Sequence, residues 1–144
     1  MRVVVQRAKD ARVLVDGNVV GQIEEGLMIL VGFTEGDHKE SIDYLAKKCL
    51  NLRIFPDENG VMNKRVLDVG GSILLVSQFT LYADTRKGNR PSYVKALGGT
   101  EASKLYDLFN KKLGEHIHVE TGIFGADMEV TLTNMGPTTI MLEK

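Results

Sequence analysis

Gly26–Phe33 reads GLMILVGF, and Gly70–Leu81 reads GGSILLVSQFTL. Each contains an apolar run of strand length without polar alternation. Such a run fits a strand covered on both faces. Working outward, the pattern changes. Upstream, Val3, Val5, Val13 and Val15 recur in a mixed period-two pattern, and Asp16-Gly17 is a hairpin signal that returns the chain through Val19–Ile23. Downstream, Asp37-His38-Lys39-Glu40 has capping-box spacing, with Asp37 placed to accept from first-turn amides. Ile42, Leu45, Cys49 and Leu52 follow at helical spacing, which predicts an amphipathic helix over about 38–50. Cys49 falls on its apolar face and reads as an inert core thiol. Asp57–Gly60 is a turn, and residues 85–99 read as loop. A second helix begins at Thr100, carries Leu105, Leu108, Phe109 and Leu113 on one face, and is placed to end at Gly114. Strands are expected near Ile117–Glu120, Met128–Thr133 and Thr138–Leu142. Many strands and two helices that do not strictly alternate predict an α+β fold with a largely antiparallel or mixed sheet.

At 144 residues the chain is the size of one domain, 1–144, and is long enough to bury a core without disulfide or metal. The hydrophobic fraction is 43% and the charged fraction 26%, values that argue against disorder. Trp is absent, so the core is expected to be aliphatic. A net charge of −1 removes bulk charge as an argument for nucleic-acid or membrane binding. The opening MRVVVQRAKDARV is broken by charges every few residues, and no run reaches the length of a membrane span. A cytoplasmic protein without membrane or DNA partners is expected. Charge is uneven, however. Thr85–Thr100 holds Arg86, Lys87, Arg90 and Lys95 and no acid. That segment reads either as a solvated loop or as a local phosphate anchor.

The usual catalytic motifs are missing. There is no P-loop, no GxGxxG, no GxSxG and no HExxH. His116-x-His118 would put two rings on one face of a strand, but no third ligand is near, and exposed strand histidines are the better reading. No metal and no cofactor are expected. Two polar interruptions of apolar strands remain. Ser77-Gln78-Phe79-Thr80 places hydrogen-bonding groups at a strand end, where ligands often sit, although a strand emerging into solvent would look the same. Asn134-Met135-Gly136-Pro137-Thr138-Thr139 contains a proline that cannot donate to a sheet ladder, so it marks an edge, bulge or hairpin turn.

Taken with VQRAKDARVLVDG at 5–17, GLMILVGF, and the weaker KGNRPSY at 87–93, the segments SQFTL at 77–81 and NMGPTT at 134–139 resemble the bacterial-type D-aminoacyl-tRNA deacylases. These enzymes remove D-amino acids wrongly esterified to tRNA. The likeness runs nearly end to end and in order. It implies a barrel-like core of mixed or antiparallel sheet with two main helices, and a homodimer acting on the aminoacylated 3′ end of tRNA. It implies that Ser77, Gln78, Phe79 and Thr80 line the catalytic pocket. It further implies a cis Gly136-Pro137 bond whose motif enters the partner subunit's site and rejects L-residues. Arg7 and Thr139 would support that motif, and Arg86, Lys87 and Arg90 would contact tRNA. The family usually has Val where this chain has Thr138, and Phe is common where it has Tyr93.

The ester is already activated, so positioning and oxyanion support matter more than a strong nucleophile. Main-chain N–H groups around Gln78 and Phe79 would hold the carbonyl oxygen, with the ribose 2′-OH helping to activate water. Thr80 is the alternative nucleophile, but it has no adjacent base and ranks as a positioning group. Exclusion by main chain would pass glycine as well as D-residues, which includes glycine mischarged on tRNA(Ala). Two other classes stay open: a non-catalytic RNA-binding module that uses the 85–100 patch, and a dimeric β-protein that binds a small ligand.

Overall fold

The computed structural model describes all residues 1–144. Strands β1 (Arg2–Val15) and β2 (Asn18–Gly32) form a long hairpin. Asp16 and Gly17 both take positive φ at its tip, as the sequence predicts. Helix α1 (Lys39–Asn51), a small hairpin of β3 (Phe55–Pro56) and β4 (Met62–Lys64), and β5 (Ser72–Ser77) follow. A 3₁₀ turn spans Phe79–Tyr82, then come α2 (Gly99–Gly114), β6 (Val119–Thr121) and β7 (Glu129–Glu143). Five strands pair in the order β6-β5-β2-β1-β7. The sheet is mixed: β1 is antiparallel to β2 and β7, whereas β2, β5 and β6 run parallel.

The two apolar runs that decide the fold are the centre of this sheet, and both faces are covered, as expected. Leu27, Ile29, Ile73 and Leu75 face a core shared with α1 and α2, where Leu45, Cys49, Phe109 and Leu113 are fully buried. Met28, Leu74 and Val76 face a smaller cluster with Ala8, Val13 and Ile23 on the other side. The sheet curls around that smaller cluster. A Cβ on Gly21 of β2 would lie 2.5 Å from the carbonyl of Thr121 on β6, two strands away in the ladder, so the sheet bends sharply there; in the link from β6 to β7, a Cβ on Gly122 would lie 2.5 Å from the Met128 sulfur. Gly26 is required where β2 meets β5, because a Cβ there would sit 1.8 Å from the Ser72 oxygen.

Several local expectations need correction. Asp37 does not cap α1; His38 occupies that position without a side-chain cap. The Asp37 carboxylate instead accepts from the Met1 ammonium at 2.6 Å and the Thr34 N–H at 2.7 Å. α2 does end at Gly114, as expected, though without the positive φ of a glycine cap. The two strands expected after residue 128 are one strand, β7, interrupted by a bulge. His116 and His118 lie in the turn before β6, not on a strand, and His118 faces Glu120 at 2.9 Å. Cys49 is the expected core thiol, and burial pushes its pKa up to about 12. No helix is long and apolar enough to cross a membrane.

Candidate active site

A cleft of about 450 Å³ opens where β2 and β5 end side by side. Parallel strand ends are a common place for ligands, because the backbone groups there leave the ladder. Val31 pairs with Ser77 at this edge. The Gln78 N–H donates to the Val31 carbonyl at 2.7 Å, and the chain then winds into the 3₁₀ turn. Ser77, Gln78 and Phe79 line the cleft, as their position at a polar strand end suggests. Thr80 lies just outside the lining, where its hydroxyl accepts from the Gln78 side-chain amide. The Gln78 main-chain N–H is therefore engaged within the sheet. The N–H groups of Phe79 and Thr80 stand at the start of the turn, where a helix offers them no acceptor.

The opposite wall has weaker sequence signals. Gly98, Gly99 and Ala102 at the start of α2 line one side, and Phe124 to Met128 line another. The Tyr106 hydroxyl donates to the Leu75 carbonyl at 2.9 Å and fixes α2 against β5. The glycines at 98–99 and 122–125 are the only marks these walls leave in the sequence. Asp127 is the one titratable side chain in the lining, and no His, Cys or Lys reaches it. A roomier but open depression beside His116 and His118 has mainly polar walls. No set of three His, Cys, Asp or Glu side chains in the protein could hold a metal ion.

The second polar interruption is built differently. Gln6 pairs with Thr139 and Ala8 with Asn134, so four residues of β7 face Arg7 alone. The bulge carries a cis Gly136–Pro137 bond, and both residues are exposed. Arg7 donates from Nε to the Met135 carbonyl at 3.2 Å and from Nη1 to the Ile54 carbonyl at 2.7 Å. Asn134 clasps the loop from inside: its Oδ1 accepts the Thr138 N–H at 2.9 Å, and its Nδ2 donates to the Thr139 hydroxyl at 2.9 Å. Gln6 also donates to that hydroxyl, at 3.3 Å. Thr138 is 6% exposed, and its own hydroxyl has no partner.

The two motifs do not meet within one chain. Val31 at the cleft pairs with Val3, whereas Arg7 beneath the bulge pairs with Leu27. Four residues of strand separate the two levels, roughly 13 Å along the sheet. Neither Gly136 nor Pro137 lines the cleft.

The basic loop lies beside the cleft. Phe79 and Tyr93 pack edge to face with ring centres 5.0 Å apart, and Asp84 and Ser92 close the loop through two backbone hydrogen bonds. Arg86 grips Asp84 through both carboxylate oxygens and holds that carboxyl well below its ordinary range. Lys87 and Arg90 make no ion pair, so the three expected contacts are not equivalent.

Residues 4–143 match the family model described as D-Tyr-tRNA(Tyr) deacylase. A D-aminoacyl-tRNA deacylase of Clostridium tetani (strain Massachusetts / E88) is 55% identical, over 99% of this chain and 97% of that protein. One of Bacillus pumilus (strain SAFR-032) is 57% identical, over 99% of this chain and 98% of that protein. Among solved structures, the c-Myc DNA Unwinding Element Binding Protein has a TM-score of 0.95 and 38% identity, covering 100% of this chain and 99% of that one. A probable eukaryotic D-amino acid tRNA deacylase is alike in fold, with a TM-score of 0.80 at 19% identity, covering 98% of this chain and 97% of that one.

Proposed function

The chain belongs to the D-Tyr-tRNA(Tyr) deacylase family, and from that premise we propose how its two motifs edit aminoacyl-tRNA. It hydrolyses the ester between a D-amino acid and the 3′-terminal ribose of tRNA. Water attacks the ester carbonyl, the bond to the ribose oxygen breaks, and that oxygen takes up a proton. Free D-amino acid and uncharged tRNA leave. Glycine esterified to tRNA(Ala) meets the same site and is removed in the same way.

The observation that carries this reading is the cleft itself. It ends two parallel strands in Ser77, Gln78 and Phe79, and its only titratable side chain is Asp127. Such a site suits an ester that is already activated. What the protein supplies is position and the main-chain N–H groups at the start of the turn, which have no acceptor within the turn and would meet the charge that develops on the carbonyl oxygen. The ribose 2′-OH assists the attacking water. Thr80 orients Gln78 and does not attack.

A second copy of the chain completes the site. The exposed Gly136–Pro137 loop, held by Arg7, Asn134 and Thr139, lies at a different level of the sheet from its own cleft. Placed over the partner's cleft, its main chain occupies the space an L-side chain would need. The basic loop meets tRNA phosphates, with Lys87 and Arg90 contributing more than Arg86. The protein works in the cytoplasm, where tRNA is charged. The test is deacylation of matched D- and L-tyrosyl-tRNA by the purified protein. Release from the D-form alone is expected; release from neither, or equally from both, would reject the assignment.

A further inference from the structure

The Phe79–Tyr82 turn presents Phe79 to the cleft and sets Thr80 against the Gln78 side chain, yet it is only four residues long. At its two ends it is tied by the Leu81 N–H to the Gln78 carbonyl at 3.2 Å and the Ala83 N–H to the Thr80 carbonyl at 3.0 Å. A 3₁₀ segment this short has little stability of its own, and its last carbonyls lack internal donors. Something outside the turn must fix it.

The outside support is a row of three residues across three strands. Arg2 on β1 pairs with Gly32 on β2 and with Glu143 on β7. Gly32 makes the seat: a Cβ there would lie 2.7 Å from the Gln78 carbonyl oxygen and 3.2 Å from the Leu81 Cβ. Arg2 closes it from the side. Its Nη1 donates to the Leu81 carbonyl at 2.9 Å, and its guanidinium lies 4.5 Å from the centre of the Tyr82 ring. Tyr82 is 6% exposed, so this stacking is partly shielded from water. Glu143 meets the Arg2 Nε at 3.3 Å from an exposed position. A pair so exposed adds little energy and serves to orient the guanidinium.

We propose that Arg2 is a positioning residue that clamps the Phe79–Tyr82 turn through the Leu81 carbonyl and the Tyr82 ring, and so sets where Phe79 and Thr80 stand. As far as it concerns catalysis, the proposal rests on the deacylase reading above. A charged donor to a carbonyl outweighs a neutral one, so loss of this clamp is felt locally.

The experiment compares wild type with Arg2→Met, which keeps an apolar stem, and Arg2→Lys, which keeps a charged donor. Amide hydrogen exchange reads the turn without reference to activity. In Arg2→Met the Leu81 and Ala83 amides should exchange about tenfold faster, with the strand amides of Ile29 and Leu75 unchanged. Steady-state deacylation of D-tyrosyl-tRNA should show kcat down about tenfold and KM within about twofold of wild type. Arg2→Lys should return kcat to within about threefold. Unchanged exchange at Leu81 and Ala83 would overturn the clamp. So would a raised KM with unchanged kcat, which would make Arg2 a phosphate contact, or a loss of kcat that Arg2→Lys does not relieve. If wild type were inactive on D-tyrosyl-tRNA while the exchange difference held, the deacylase reading would fail and the clamp would stand.

Discussion

Ser77–Tyr82 and Asn134–Thr139 carry the same kind of signal in the sequence: polar residues interrupt an apolar strand. The fold uses them in opposite ways. The first ends a central strand, enters a cleft, and is seated within its own chain by Gly32 and Arg2. The second bulges from the edge strand β7, stands exposed, and is braced by Arg7 and Asn134 from behind. One motif is concave and incomplete, and the other is convex and has nothing of its own chain to act on. That difference is the ground for the proposed two-copy site: the same polar signal makes a recess or a projection according to where its strand lies in the sheet.

The division of labour between the two motifs is tested by damaging each once and mixing the two variants. Gly32→Ala pushes a methyl against the Gln78 carbonyl. Gly136→Ala places one 2.6 Å from the Thr138 hydroxyl and 3.1 Å from an Arg7 nitrogen, at a φ of +120°. A displacement near 1 Å in a positioned site can cost about a hundredfold in rate, and each variant should lose about that much D-activity. After subunit exchange, half of the dimers should carry one damaged copy of each kind. Each such dimer holds one intact cleft facing one intact loop, so about a quarter of wild-type activity should return. No recovery, with exchange verified by tagged copies, would place both motifs in one chain's site.

Arg7→Ala should have the next largest effect. It leaves the Met135 and Ile54 carbonyls without their donor. Stability to urea should fall by about 2 kcal/mol, and D-activity by about tenfold as the bulge loosens. A loss of stability without a loss of activity would show that the loop does not need to be rigid.

The basic loop tests the concave side more gently. Replacing Lys87 and Arg90 together by Ala should reduce the log–log salt slope of tRNA binding by about one to two. Arg86→Ala should change it less, because Asp84 already holds that charge. Equal slopes for all three single variants would show that the Asp84 pair opens when tRNA binds.

How much of this was legible followed from the range of the interactions involved. The central strands, both helices, the hairpin at Asp16-Gly17 and the cleft-lining Ser77–Phe79 rest on local pattern, and the structure has them. Asp37 has the spacing of a helix cap, yet the Met1 ammonium that engages it comes alongside only once the sheet has formed. The continuous strand β7 has the sequence pattern of two, because Pro137 interrupts it; Arg7, more than a hundred residues away, carries the bulge. The cleft wall at Phe124–Met128 has no motif at all. It lines a site only because the fold sets the link between β6 and β7 beside the ends of β2 and β5.

Thr138 offers the smallest effect and the finest test of the convex motif. Its side chain is buried, and its hydroxyl has no partner within the chain. An unsatisfied buried hydroxyl is unfavourable, and an apolar group of the same shape removes that cost. In the isolated chain, Thr138→Val should therefore stabilise by about 1 kcal/mol, which for a domain of this size raises Tm by about 2–4 °C. The methyl that replaces the hydroxyl keeps the same shape beneath Gly136, so D-activity and L-rejection should stay within about twofold of wild type. The sign of the stability change decides what lies around the loop. A fall of similar size, measured at concentrations where the dimer persists, would mean that the hydroxyl finds its partner on the second copy. The bulge would then be an interlocked contact between subunits, and its bracing by Arg7 and Asn134 would be only half of what holds it.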